Sequence, residues 1–260
     1  MTAEVRLEVD GAVATMIIDH SDRRNAMTKQ MWEQIPGLCG RISQSPGIRV
    51  VVLRGAGTVA FVAGADVSEF NETRQGSAGA AYDRMTANAT DALATLPKPV
   101  VALIHGFCIG GGLALALSAD IRIAADDAVF GLPPARLGIG YSPSGVGTLV
   151  DLIGPAAAKE LIFSADWIDA AKANRLGLVN DIVPGDQLDD LVAQRVATMA
   201  QRAPLSQLAA KRAVANHLAD PQHRDDAAVE ALVRKCIESD DYQEGIAAFL
   251  EKRPPRFIGS

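Results

Sequence analysis

A chain of 260 residues, 48% hydrophobic and 22% charged, is long enough to bury a sizeable core as one domain with a helical appendage. Its formal charge of −6 argues against nucleic acid or an anionic membrane surface as the main partner. A phosphate-bearing ligand stays open, because backbone N–H groups and a few local cations can hold one. Cys39, Cys108 and Cys236 stand far apart and in no metal-ligand spacing, so they read as reduced, buried thiols of a cytoplasmic protein without a metal site. No signal pattern opens the chain, and no apolar run is long enough to span a bilayer.

Residues 5–9 and 13–18 alternate around Asp10-Gly11, which predicts a two-stranded hairpin. A polar stretch, 20–25, follows. Met31, Ile35, Leu38 and Ile42 then share one helical face, with Pro36 expected to kink or shorten that helix. The β-branched run 50–53 predicts a buried parallel strand. Residues 78–96 read as a helix stopped by Pro97-Lys98-Pro99, and 100–104 as the next strand. That strand ends at His105-Gly106, after which Gly110, Gly111 and Gly112 open an Ala/Leu-rich helix, followed by a short strand at 121–124. Residues 131–147 are too rich in Gly, Pro and Ser for a single element, and such a stretch inside a compact domain is more often functional than idle. Pro155 starts a helix and Asp169 caps another. Beyond Val183-Pro184 the pattern is helical, near 188–203, 204–218, 227–239 and 242–252. The order is α/β, then a C-terminal helical block.

The glycine turn carries the chemistry. A strand, a turn and a helix N-terminus aim free N–H groups and a positive dipole end at one spot, which suits an oxygen on which negative charge develops. Gly55-Ala56-Gly57 with Ala60 superficially fits a dinucleotide fingerprint, but that fingerprint needs a helix where this chain continues as strand-like TVAFVAGAD. No P-loop lysine follows any glycine cluster, and Gly140-Tyr141-Ser142-Pro143-Ser144-Gly145 has the wrong spacing for a nucleophile elbow. His105, alone at a strand end, reads as structural.

Residues 100–121, VVALIHGFCIGGGLALALSADI, resemble the glycine-helix motif of the enoyl-CoA hydratase/isomerase family, the crotonases. Phe61-Val62-Ala63-Gly64-Ala65-Asp66-Val67 resembles that family's second signature, and Ala247-Ala248-Phe249-Leu250-Glu251-Lys252-Arg253 its terminal motif. With Arg24-Asn25-Ala26 and Ala170-Ala171-Lys172-Ala173, the resemblance covers nearly the whole chain. It implies a ClpP-like crotonase spiral of ββα units, with an acyl-CoA core over 1–195 and a C-terminal helical region over 196–260 that assembles trimers or hexamers. It implies an oxyanion hole for the thioester carbonyl from the N–H groups of Ala65 and Gly111. Arg24, Ala63, Asp66, Val67 and Pro134 would border the coenzyme A thioester, and Phe249 and Lys252 would reach coenzyme A, often from a neighbouring subunit. No cofactor is implied beyond the coenzyme A of the substrate.

The two glutamates of the family's hydratases fall at Ala114 and Pro134, which cannot move a proton. Asp66, Glu69 and Asp120 are substitute acids by sequence proximity only, each better explained as structural or solvated. Leu137-Gly138-Ile139-Gly140-Tyr141 and Lys159-Glu160-Leu161-Ile162-Phe163 resemble the methylmalonyl-CoA decarboxylase branch, in which a tyrosine at this place positions the substrate carboxylate. Ala65 stands where that branch carries a histidine, and Tyr141 reads equally as a packed loop aromatic. The leading expectation is a decarboxylase-type lyase working through a thioester enolate. Alternatives are an enoyl-CoA hydratase or isomerase with a relocated acid/base, and a non-catalytic acyl-CoA-binding protein. The acyl pocket is expected between residues 68–79 and 131–147.

Overall fold

The computed structural model describes residues 3–70 and 77–260. Its strands are β1 (Glu4–Asp10), β2 (Val13–Asp19), β3 (Val50–Gly55), β4 (Ala60–Val62), β5 (Val100–Ile104), β6 (Phe107–Ile109), β7 (Ile121–Ala125), β8 (Val129–Gly131), β9 (Ile168–Asp169) and β10 (Asp181–Val183). The helices are α1 (Lys29–Gln44), α2 (Ser77–Ala94), α3 (Gly111–Leu117), α4 (Pro134–Leu137), α5 (Pro143–Ser164), α6 (Ala170–Arg175), α7 (Leu188–Ala200), α8 (Pro204–Leu218), α9 (Asp226–Ile237) and α10 (Asp240–Leu250).

The strands form a six-stranded sheet, β1-β2-β3-β5-β7-β10, and a four-stranded sheet, β4-β6-β8-β9. After the antiparallel β1–β2 hairpin, every pair in the large sheet is parallel. Three units then repeat one path: β3, β4 and α2; β5, β6 and α3; β7, β8 and α4. Each gives a strand to the large sheet, a strand to the small one, and then a helix. This is the spiral of ββα units.

Three local expectations are corrected. The hairpin loop is Gly11-Ala12, because Asp10 pairs with Val13. β6 intervenes between β5 and the glycine turn, so the chain changes sheets before it reaches the helix. At that change Gly106 has φ 54°, and a Cβ there would lie 1.9 Å from the Val59 carbonyl oxygen. Finally, α1 continues through Pro36 for 16 residues. An interior proline costs about 3 kcal/mol. Met31, Trp32, Ile35, Cys39 and Ile42 are all buried on this helix, and each such side chain gains roughly 1.5–3 kcal/mol, so packing outweighs the proline. Residues 131–147 contain α4 and the start of α5, a helix that breaks at Gly154 (φ 76°, ψ 163°) before Pro155 restarts it.

The unbroken apolar run of β3 follows from burial on both faces. Val51 and Leu53 join the main core with Trp32, Phe61 and Phe130, while Val50 and Val52 face Leu188, Val192 and Val196 of α7. The division expected at residue 195 falls inside α7. No helix among the described residues is long and apolar enough to cross a membrane.

Asp189, in the first turn of α7, ties that helix to the sheet. It pairs with Arg54 of β3 and accepts from His105 Nε2 at 2.7 Å. Burial works to raise the Asp189 pKa, but the His105 hydrogen bond and the Arg54 charge outweigh it and hold the carboxyl below its ordinary value. A lowered folded-state pKa stabilises the fold above the unfolded value, about 3.9, and that contribution is lost as pH falls through the folded pKa. Asp189→Asn should therefore lower the urea midpoint at pH 7, with the gap to wild type closing as the pH is taken below about 3.9. A gap that persists at acid pH would show that the charge is not what stabilises this contact.

Candidate active site

The site is built where two backbone segments meet. Residues 63–66 are laced to residues 24–27: Ala63 N–H donates to Arg24 O at 3.1 Å, Met27 N–H to Gly64 O and Asp66 N–H to Met27 O, each at 2.8 Å. Asn25, buried with φ 58°, locks this lacing. Its Nδ2 donates to Ala56 O and Ala60 O, and its Oδ1 accepts from His20 N–H. In this arrangement the Ala65 N–H has no acceptor among the described residues.

The second segment is the glycine turn. Gly110 sits at φ 55° and donates to Gly131 O, which sets Gly111 as the first residue of α3 with its own N–H unused by the helix. A Cβ on Gly111 would lie 3.9 Å from Ala65 N and 3.1 Å from the Trp32 ring. A Cβ on Gly112 would meet the Val62 carbonyl oxygen at 2.1 Å. Glycine at 112 thus lets α3 rest directly on β4, and this contact brings the Gly111 and Ala65 N–H groups side by side.

These groups open onto a cavity of about 350 Å³ between α2, α3 and the loop 131–142. Ala63, Ala65, Val67, Gly111, Pro134 and Tyr141 all line it, as does Ala114. Ala114 and Pro134, at which the resemblance places the hydratase glutamates, thus both line the cavity and carry no titratable group. The substitute acids do not line it. Asp66 accepts from Ser68 and Arg23. Burial works to raise its pKa, but the Ser68 hydrogen bonds and the Arg23 charge hold it below the usual range. Glu69 accepts from Lys29 N–H, and Asp120 from Val100 N–H and Lys211. Residues 71–76 of the expected acyl-pocket region lie outside the described residues.

Tyr141 stands apart among the described polar side chains of the wall as buried and unpaired. Its ring lies against Gly145, where a Cβ would come within 2.7 Å of it, and its hydroxyl is buried without a hydrogen-bond partner among the described residues. Burial pushes its pKa up to about 12, so the phenol stays protonated and is a donor awaiting an acceptor. Burial also raises the thiol pKa values of Cys39 and Cys108, which removes both as nucleophiles.

Arg24, exposed at φ 52°, holds its guanidinium over the Phe107 ring, 4.8 Å from the centroid. Trp167 meets Phe107 edge-on at 5.6 Å. Phe249 and Lys252 are not brought to the cavity of their own chain; Phe249 is 84% exposed at the end of α10. Lys252 has φ 56°, a conformation that favours glycine at a helix end.

Sequence reasoning missed part of the wall. Trp32 Nε1 donates to the Tyr82 hydroxyl at 3.1 Å, joining α1 to α2 across the cavity, and Asp83, Thr86, Thr90 and Asp91 of α2 line it. Their i, i+3, i+7, i+8 spacing marks one helix face, but nothing in the sequence says what that face meets.

The family model described as Enoyl-CoA hydratase/isomerase matches residues 8–260. The chain is 33% identical to the short-chain-enoyl-CoA hydratase of Clostridium acetobutylicum, over 96% of this chain and 95% of that one. It is 30% identical to the methylmalonyl-CoA decarboxylase of Escherichia coli, over 95% of each. Among solved structures, an enoyl-CoA hydratase/carnithine racemase from Magnetospirillum magneticum superposes with a TM-score of 0.95 at 36% identity, covering 100% of this chain and 97% of that one. The fold is thus shared along nearly the full length of these chains, and the chain belongs to the enoyl-CoA hydratase/isomerase family.

Proposed function

We propose that this chain processes acyl-CoA thioesters through an enolate, and that its reaction is the loss of CO2 from a malonyl-type thioester. The observation that carries the reading is the composition of one cavity. It offers two adjacent N–H groups, Ala65 and Gly111, and one unpartnered buried phenol, Tyr141, while Ala114 and Pro134 leave the hydratase proton carriers out. The thioester oxygen would accept from both N–H groups. The bond between the α-carbon and the carboxylate then breaks, its electron pair passes into the enolate, CO2 leaves, and the α-carbon takes a proton from water. No protein base is required.

Tyr141 would donate to the departing carboxylate and orient it. No described residue lining the cavity is cationic, so none of them holds the carboxylate charge tightly in the ground state, which suits a step in which that charge moves away. Arg24 and the backbone at Ala63, Asp66 and Val67 would meet coenzyme A at the rim. Phe249 and Lys252 would do so from a neighbouring subunit of a trimer or hexamer, assembled through the helical region over 196–260. The apolar face exposed by Ile237, Tyr242, Ile246, Phe249 and Leu250 supports such assembly.

A second reading, hydration or double-bond isomerisation, is favoured by Asp83 and Asp91, carboxylates on the wall that a relocated acid/base would need, and by the names of relatives such as the Clostridium enzyme. A mass-spectrometric assay with crotonyl-, 3-enoyl-, malonyl- and methylmalonyl-CoA separates the two. CO2 loss is expected; water addition or a shifted double bond would replace the leading reading, and binding without product would make the chain an acyl-CoA carrier. Tyr141→Phe sharpens the test. Removing an unpaired buried hydroxyl should leave stability unchanged or raise it by about 1 kcal/mol, while decarboxylation falls at least tenfold, as expected for the loss of about 1.4 kcal/mol of transition-state binding. Full decarboxylase activity in that variant would remove Tyr141 from the reaction.

A further inference from the structure

α2 leads into β5 and α3 into β7, parallel neighbours in the large sheet, and this orders the cavity between the two helices from a near end to a far end. At the near end Trp32 packs on Gly111 of α3 and donates to Tyr82 of α2. At the far end the chain leaving α2 and the chain leaving α3 are joined. Val100 N–H donates to the Asp120 carboxylate, and Asp120 N–H donates to Val100 O. Thr90 and Asp91 of α2 and Ser118 just beyond α3 therefore line the end remote from the paired N–H groups. With a rise of 1.5 Å per residue, Ser118 lies roughly 10 Å beyond Gly111.

The polar groups at that end are of one kind. Thr90 Oγ1 donates to Thr86 O and Ala87 O, and Ser118 Oγ donates to Leu115 O. Their protons are spent on backbone, and lone pairs remain for a ligand. The Asp91 carboxylate, an acceptor only, has no side-chain partner among the described residues. None of the described lining residues is Lys, Arg or His. An alkyl terminus would displace water from the part-buried hydroxyls and the exposed Asp91 carboxylate without replacing its hydrogen bonds, and a carboxylate terminus would meet like charge at Asp91. The orphaned Tyr141 hydroxyl on the same cavity independently marks it as shaped for a ligand that is polar as well as acylated.

We infer that the acyl group accepted here carries a hydrogen-bond donor, a hydroxyl or an amine, at its far end, read by Asp91, Thr90 and Ser118. This rests on the acyl-CoA reading, though not on which bond the reaction breaks. The test is calorimetric binding of free coenzyme A and four matched six-carbon thioesters: hexanoyl-, 6-hydroxyhexanoyl-, 6-aminohexanoyl- and adipoyl-CoA. The amino thioester should bind about tenfold tighter than hexanoyl-CoA, the scale of one hydrogen bond to a charged group. The hydroxy thioester should lie between them and adipoyl-CoA should bind weakest. Asp91→Asn should erase the amino preference. Equal binding of all four, a preference for adipoyl-CoA, or an amino preference that survives Asp91→Asn overturns this inference and leaves the acyl-CoA reading standing. Failure of both coenzyme A and hexanoyl-CoA to bind overturns that reading, and the inference with it.

Discussion

Proline at position 111 should lower kcat by about 10²–10³ in a chain that still folds, whereas alanine at the same position should retain most of the activity. Gly111 is the first residue of α3, where a helix needs no N–H and tolerates proline well. What proline removes is the donor aimed beside Ala65. Both substitutions add a carbon where Cβ would sit 3.1 Å from the Trp32 ring. Each therefore presses on the same neighbour, and the difference between the variants is the loss of the N–H, whose place the ring Cδ takes. Steady-state kinetics beside a thermal melt reads both quantities. Equal activity of the two variants would show that this N–H does not stabilise charge in the reaction.

Alanine at Gly112 should act through packing instead. Its Cβ would lie 2.1 Å from the Val62 carbonyl oxygen and 2.9 Å from the Val62 carbonyl carbon, and backbone atoms of a buried strand cannot step aside. α3 would have to lift off β4, at a cost of about 3 kcal/mol or more. For a domain near this size, that is a fall in Tm of roughly 6–12 °C. Turnover should collapse as well, because the same contact sets the separation of the two N–H groups. Gly40→Ala is the matched control. Gly40 lies inside α1 with nothing within 4 Å of an added Cβ, and there alanine should be neutral or stabilising by up to about 1 kcal/mol. A Gly112→Ala variant with the wild-type Tm would mean that the helix–strand contact is looser than its geometry.

What the sequence made legible was what local pattern dictates. The β3 run announced a strand buried on both faces, Asp169 announced its helix by capping Lys172 N–H, and the glycines announced a turn before α3. β6 was not readable, because three residues between two glycine turns carry no periodicity of their own. Nor was the uninterrupted α1, since the burial that outweighs Pro36 comes from residues distant in sequence. The same limit applies to the site. Ala65, Gly111 and Tyr141 sit in recognisable segments, and the cavity gathers all three. Thr86, Thr90 and Asp91 lie on a helix that reads as an ordinary amphipathic one, with Tyr82, Ala89 and Leu93 as its buried side. A polar face toward a ligand and a polar face toward water have the same spacing. Asn25 lies in a recognisable segment, but its role in tying the loop at His20 to Ala56 and to Ala60 of β4 depends on a burial that the sequence does not state.

The chain has two tryptophans, and the fold sets them in opposite surroundings. Trp32 is buried against Gly111 on the cavity wall, while Trp167 is half exposed outside the cavity, beside the Phe107 ring that carries Arg24. All the indole emission of this protein therefore comes from one dry fluorophore at the cavity and one wet fluorophore away from it. A ligand entering the cavity should change the first component of the spectrum and leave the second, so the molecule carries its own probe and its own reference.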